Sequence, residues 1–227
     1  MSKADEAKPA KASTRPPVKT TVRRLRRAEM PSETVALSRY LIGKIVVREL
    51  PGIRMAGRIV ETEAYPPKDP AAHHYRGPTP RNQSMFLQRG HAYVYFSYGN
   101  HFMLNVSAEL PGVGGGVLIR ALEPLEGIAE MQRRRGTDRL YDLTRGPGRL
   151  AQALHIDRSV NGIDLCAPGP LWLGEVKAPR DPEAQPLDLD RPMGISRRVG
   201  ITRAAHRLLR FYERGSRFVS GTARLRA

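Results

Sequence analysis

A single cysteine, Cys166, is all the thiol chemistry this chain offers. One thiol cannot close an internal disulfide, so a small scaffold stapled by disulfides is excluded. No apolar run approaches the roughly 18 residues of a membrane-spanning helix, so no membrane partner is expected. Nor is there a glycine-rich loop ending in Lys-Ser/Thr, a paired-cysteine zinc motif or a His-Glu-x-x-His. No serine sits in a Gly-x-Ser-x-Gly elbow, which leaves a serine triad unsupported. The glycines at 112–116 precede an apolar strand rather than a helix, unlike a dinucleotide fingerprint. Acids are also scarce: 22 Asp and Glu stand against 38 Lys and Arg, a net charge of +16 over 227 residues. Such an excess points to a polyanionic partner.

The charge has a distribution. Residues 1–30 hold nine Lys/Arg and three acids, so the rest of the chain remains basic without them. From Ser196 onward nine arginines face one acid, Glu213. With so few local partners, and with arginine the better phosphate ligand, this run reads as a phosphate-tracking surface. Residues 1–28 are Lys, Ala, Pro, Ser, Thr and Arg with almost no large apolar side chains, and read as a disordered basic tail. Order is expected from Pro31-Ser32, and 29–227 as one folded domain.

Ser32 is a fitting N-cap for a helix whose Leu37, Tyr40 and Leu41 share a face and which Gly43 ends. Lys44–Leu50 and Ile53–Glu63 read as an antiparallel strand pair about Pro51-Gly52. A proline-rich loop follows from Pro66 to about Arg81. His91–Ser97 and His101–Ser107 form a second pair around Tyr98-Gly99-Asn100, and Val117–Leu122 is a third apolar strand. Helical patterns run over Leu125–Arg135 and near Gly148–His155, and Ala178–Pro192 is a proline- and acid-rich loop. Strand signals return at Arg198–Ile201, Leu209–Tyr212 and Phe218–Ser220. Strands in adjacent pairs with helices between groups predict a single-domain α+β fold, a curved antiparallel sheet with flanking helices.

Two segments carry chemistry. In Ile59-Val60-Glu61-Thr62-Glu63-Ala64-Tyr65, alternation places Ile59, Glu61, Glu63 and Tyr65 on one face. If Ile59 faces the core, the carboxylates lie on or near the buried side, where one is a candidate general base. If Val60 and Ala64 face inward, both are in water, and the pattern does not choose. The second segment concentrates aromatics: Tyr93, Tyr95, Phe96, Tyr98 and Phe102, with His101 among them. An aromatic strand is more often packing than a stacking platform. Tyr98 differs, since a tyrosine at a turn tip is placed to wedge into a base stack. His73 sits in a polar loop. Glu63, His73 and His101 could be metal ligands, but no ligand spacing supports this and no metal or other cofactor is expected.

The blocks Gly57–Tyr65, Asp69–His73, Thr79–Asn82, Tyr93–Gly99, Leu104–Val106, Leu118–Pro124, Gly146–Leu150 and Leu209–Ser216 resemble, in collinear order, the alkyladenine (3-methyladenine) DNA glycosylase family. The resemblance runs from about Ser32 to Ser220. It implies a monofunctional hydrolase that flips alkylated purines such as 3-methyladenine and 7-methylguanine, with deaminated or etheno purines as further substrates, out of duplex DNA for base excision repair. It assigns water activation to Glu63 and the holding of that water to Arg120. The flipped base would lie between Tyr65 and the pair His73 and Tyr95, with Asn105 disfavouring guanine's exocyclic amine. Tyr98 would fill the gap left in the duplex. It gives no role to Glu61 or His101. Pro66-Pro67, in a loop about a residue shorter than in relatives, and Asn100, where a larger apolar residue is common, depart from the family pattern at the pocket's edge. A monomer in a bacterial cytoplasm, associated with the nucleoid, is expected. The competing readings are a noncatalytic nucleic-acid binder that stacks bases on its tyrosines and a metal-dependent nuclease.

Overall fold

The computed structural model describes residues 21–97, 99–176 and 192–222. Among these the chain builds one antiparallel sheet with short helices packed on it. Strands β1 (Val22–Arg24), β2 (Ile45–Leu50), β3 (Ile53–Tyr65), β4 (Ala92–Ser97), β5 (His101–Ser107), β6 (Gly116–Glu126) and β7 (Leu171–Val176) follow the order β1-β7-β2-β3-β6-β5-β4. Two further strands, β8 (Met193–Ser196) and β9 (Arg210–Glu213), form a ribbon docked on β3. The predicted α+β architecture with an antiparallel sheet is what the structure has.

The first helix, α1 (Thr34–Tyr40), starts one residue later than Ser32 suggests. Glu33 is its N-cap, its carboxylate accepting from the backbone N–H of Val35 and Ala36. Leu37 and Leu41 are fully buried, and Ser38 donates to Thr62 Oγ1 at 2.9 Å, seating α1 on β3. Helix α2 (Ile128–Arg135) begins after Gly127 rather than at Leu125, because β6 continues to Glu126. Helix α3 (Pro147–Ala153) starts at its proline, whose fixed φ suits a first helical turn. Leu150, Ala151 and Leu154 then bury against the main core with Ile59, Leu104, Ile119 and Leu122.

Strand β3 is the axis of the fold. One edge pairs with β6 along almost its whole length; the other pairs first with β2 and then, over Glu61–Glu63, with β9. Residues Met55 to Ala64 are buried without alternation. The two registers weighed for this strand were therefore both incomplete. Ile59 enters the main core, while Val60 and Ala64 enter smaller clusters with Tyr212, Phe218, Leu209 and Phe211. No face was left for water.

Other expectations are corrected. Val22–Arg24, placed in the tail, pairs with β7, and Leu25 is 1% exposed in the core. Order thus extends at least to Thr21, and residues 1–20 of the predicted tail lie outside the described residues. The strand pairs are not all sequence neighbours: β7 inserts between β1 and β2, and its apolar run Leu171–Leu173 went unrecognised. Arg198–Ile201 and Phe218–Ser220 are irregular segments, and residues 178–191 of the acidic loop lie outside the described residues.

If the N-terminal strand belongs to the fold, Leu25→Ala should cost about 2–5 kcal/mol of unfolding free energy in urea, the usual loss for a fully buried leucine. A position in an unstructured tail would change it by less than about 0.5 kcal/mol.

Candidate active site

The C-terminal half of β3 presents Glu61 and Glu63 on one side, and both are 0% exposed. Carboxylates without water must be paired, and the partners arrive from four other segments. Opposite them, β6 carries an irregularity: Ile59 faces Leu122, Glu61 faces Ala121 and Thr62 faces Ile119. Val60 and Arg120 are thus extra residues in their strands, and the bulge turns Arg120 towards the carboxylates. Its Nε donates to Glu61 Oε1 at 2.8 Å, and its Nη1 lies 3.2 Å from Glu63 Oε1. Burial disfavours the Arg120 guanidinium, but Glu63 and Glu61 outweigh it and raise its pKa, so it stays charged.

The two glutamates differ in how their oxygens are used. Glu61 accepts four hydrogen bonds: Arg120 Nε at 2.8 Å, Arg210 Nε at 2.7 Å and Ser220 Oγ at 2.8 Å on Oε1, and Ser220 N at 2.7 Å on Oε2. Three of the four thus converge on Oε1, and two of the donors are guanidinium groups. Glu63 accepts two hydrogen bonds, from Val199 N at 2.7 Å and Tyr65 Oη at 2.9 Å, and forms an ion pair with the Arg120 guanidinium. All three of these partners line a cleft.

The cleft, of about 530 Å³, is lined by Tyr65, His73, Tyr95, Asn105 and Arg120. Five residues singled out in the sequence therefore share one cavity, with Glu63 directly behind Tyr65 and Arg120. His73 meets the Tyr95 ring edge-on with centroids 4.5 Å apart, and its Nδ1 is 2.9 Å from Tyr93 Oη. Surrounding protein, then Arg81 and His74, lower the His73 pKa below the ordinary 6.5, so the imidazole is neutral at pH 7. Burial is the main cause that pushes the Tyr93 hydroxyl up to about 12 and raises that of Tyr65, beside the Glu63 carboxylate, still further. Asn105 donates to Tyr93 O at 3.2 Å across the β4–β5 pair.

Tyr65 is held from behind. The Arg198 guanidinium carbon lies 4.6 Å from its ring centroid, and Arg198 pairs with the buried Asp69 at 2.8 Å and donates to Ala64 O. Asp69 also receives Arg207 at 3.1 Å. This ion pair fastens the 66–77 loop, which carries His73, to the segment whose Val199, Gly200 and Ile201 line the cleft. Here the arginine-run reading needs correcting. Arg198 and Arg210 are buried structural partners of Asp69 and Glu61, acids far away in sequence, whereas Arg197, Arg203, Arg214 and Arg217 are exposed. Arg224 and Arg226 lie outside the described residues.

Several lining residues were not picked out in advance: Arg81, Val199 and Ile201, while Tyr93 was named only as one of the aromatics of its strand. Arg81 lay inside the Thr79–Asn82 block, but nothing local shows that it reaches the Tyr95 ring at 5.8 Å. Tyr98, between Ser97 of β4 and Gly99, lies outside the described residues. His101 packs over Gly148 in a separate groove, away from Glu63 and His73. Among the described residues no three His, Cys, Asp or Glu side chains are grouped to hold a metal ion, and no helix is long and apolar enough to cross a membrane.

Comparison with known proteins adds an independent line. The family model for methylpurine-DNA glycosylase matches residues 28–217. A protein of Mesorhizobium japonicum is 61% identical over 86% of this chain and 89% of its own length. One from Paraburkholderia phytofirmans is 47% identical over 88% and 90%, and one from Methanoculleus marisnigri 49% identical over 83% and 94%. All three bear the name "Putative 3-methyladenine DNA glycosylase". With a family match over most of its length, and with relatives this similar, the chain belongs to the methylpurine-DNA glycosylase family.

Proposed function

We propose that this protein is a monofunctional DNA glycosylase that turns an alkylated purine out of duplex DNA into the Tyr65–Tyr95 cleft and hydrolyses its N-glycosidic bond. The observation that carries the reading is the unequal use of two neighbouring carboxylates. Glu61 takes four hydrogen bonds, two of them from arginines, whereas Glu63 takes two hydrogen bonds and one ion pair, all from Val199, Tyr65 and Arg120, which line the cleft. The more heavily bonded carboxylate is suited to organising charge, and the one held by the cleft's own lining to taking a proton from water.

N-alkylation at a ring nitrogen makes the purine cationic and therefore a good leaving group. As the bond from C1′ to the purine nitrogen lengthens, its electron pair moves into the ring and neutralises it, while positive charge grows on the sugar. Glu63 accepts the proton from the attacking water and, with its negative charge, stabilises the oxocarbenium-like transition state. Arg120, at 3.2 Å from Glu63, orients the carboxylate and the water beside it. The tyrosine rings attract the electron-poor base by about 0.5–2 kcal/mol each through cation–π contact. A neutral His73 suits the same substrate, since an imidazolium would repel it. Asn105 meets the edge of the base and disfavours guanine's exocyclic amine, and Tyr98 enters the space vacated in the duplex. Deaminated or etheno purines are neutral and would also need ring protonation. Lys68 is exposed on its loop and no lysine lines the cleft, in keeping with hydrolysis rather than Schiff-base strand cleavage. We place the enzyme, as a monomer, in the bacterial cytoplasm with the nucleoid.

In the central test, Glu63→Gln should leave binding of lesion-containing duplex intact and abolish release of 3-methyladenine, with EDTA present throughout; equal loss of binding and release would overturn the assignment. Binding of 7-methylguanine duplex by that variant should stay constant as pH falls from 8 through 6.5, then weaken once His73 protonates. A midpoint at or above 6.5 would contradict the neutral imidazole. Affinity for duplex DNA should also drop about a hundredfold or more between roughly 50 and 200 mM salt, readable by fluorescence anisotropy.

A further inference from the structure

Glu61 has no part in the chemistry just described, yet it is as buried as Glu63 and more heavily bonded. We infer that Glu61 is a positioning residue that sets the basicity of Glu63 by taking up half of the charge of the arginine the two share. This rests on the glycosylase reading for its enzymatic consequence and on the geometry alone for its electrostatic one. Arg120 gives its Nε to Glu61 and its Nη1 to Glu63, while its Nη2 donates to Ser220 Oγ at 3.3 Å. The guanidinium is thereby shared among three groups, and the bulge in β6 turns it towards both carboxylates. Arg210 supplies a second buried cation, its Nε on Glu61 and its Nη2 on Ser220 O at 2.7 Å.

The cluster is neutral: two carboxylates against Arg120 and Arg210. Beyond it, the charged and titratable groups around Glu63 are Tyr65 on its own strand and, through Tyr65, the Arg198–Asp69 pair. A general base works best when its pKa is not driven far below the working pH. Without Glu61, Glu63 alone would face two guanidinium groups. With Glu61 present, Arg210 is fully engaged elsewhere and Arg120 only half available.

The signs follow directly. Removing the negative charge of Glu61 strengthens the positive field at Glu63, lowers its pKa and makes it a weaker base. Removing Arg210 leaves an extra negative charge and raises it. Glu61→Gln should therefore shift the acid limb of the pH–rate profile for 7-methylguanine release down by about one unit, the usual size for one nearby charge, and lower the plateau rate. Arg210→Gln should shift the limb up. This lesion is already cationic, so its limb reports the base rather than protonation of the leaving group. The ¹³C carboxyl titration of Glu63 in each variant should move in the same two directions, whether or not base release is measured. Opposite shifts from two substitutions in one cluster cannot come from simple loss of folding, which circular-dichroism melting of each variant would quantify. Native base release with an acid limb and a carboxyl titration that neither variant moves would overturn the inference and leave the glycosylase reading intact. The stated titration shifts in a native protein that releases no base would uphold the charge partition and refute the enzymatic reading. If Glu61→Gln does not fold, Arg210→Gln alone decides, and an unmoved titration in that variant overturns the inference.

Discussion

Two carboxylates two residues apart, on one strand and out of contact with water, impose a condition that much of this molecule exists to meet. Taking a carboxylate out of water costs several kcal/mol unless charge and hydrogen bonds compensate, and breaking a buried pair typically costs about 3–5 kcal/mol. Compensation is recruited from across the chain: Arg120 from β6, Arg210 from β9, the Val199 N–H from the loop after β8, and Ser220 near the end of the described chain. The β8–β9 ribbon docks where β2 stops pairing, and it covers the half of β3 that carries the two glutamates. The same device recurs further down β3, where the buried Arg58 pairs with Glu213 of β9 and with Glu123 of β6.

Meeting that condition also shapes the cleft. The hydrogen bond from Tyr65 Oη to Glu63 fixes one aromatic wall, and Arg198 behind the ring fixes its tilt. Because Arg198 is itself held by Asp69, the loop that brings His73 and the loop that brings Val199 cannot move apart without exposing or orphaning a buried charge. The opposite wall is built by different means, strand alternation putting Tyr93, Tyr95, Met103 and Asn105 on one face of a hairpin. A rigid strand face opposite a wall clamped by ion pairs defines a slot for a flat, electron-poor ring.

Local pattern made much of this legible. Alternation and turn residues located β2 to β6 within a few positions, since their strands pair with near neighbours. It failed where pairing is distant. Val22–Arg24 looks like tail because three residues hold too little apolar surface to announce a strand, and β7 is recognised only once β1 and β2 are beside it. Of the site, Glu63, Tyr65, His73, Tyr95, Asn105 and Arg120 were named from the resemblance; the last five line one cleft, and Glu63 is bonded to Tyr65 and Arg120 behind it. Val199, Arg198 and Arg81 carry no local mark, because their roles depend on which side chain arrives opposite them.

Sequence alone determined the α+β class, the strand pairs and the collinear blocks that tie the chain to its family, because periodicity and turn chemistry act over a few residues. It also set the charge excess, which is a matter of counting. Only the tertiary structure decided which glutamate is held wholly by the lining of the cleft. Glu61 and Glu63 share one strand face, one burial and one neighbouring arginine; what separates them is Ser220 and Arg210, about 150 residues downstream, which bond the first, while Val199 and Tyr65 of the cleft bond the second. The set of hydrogen-bond partners is a property of the assembled surroundings, and no spacing along the chain encodes it.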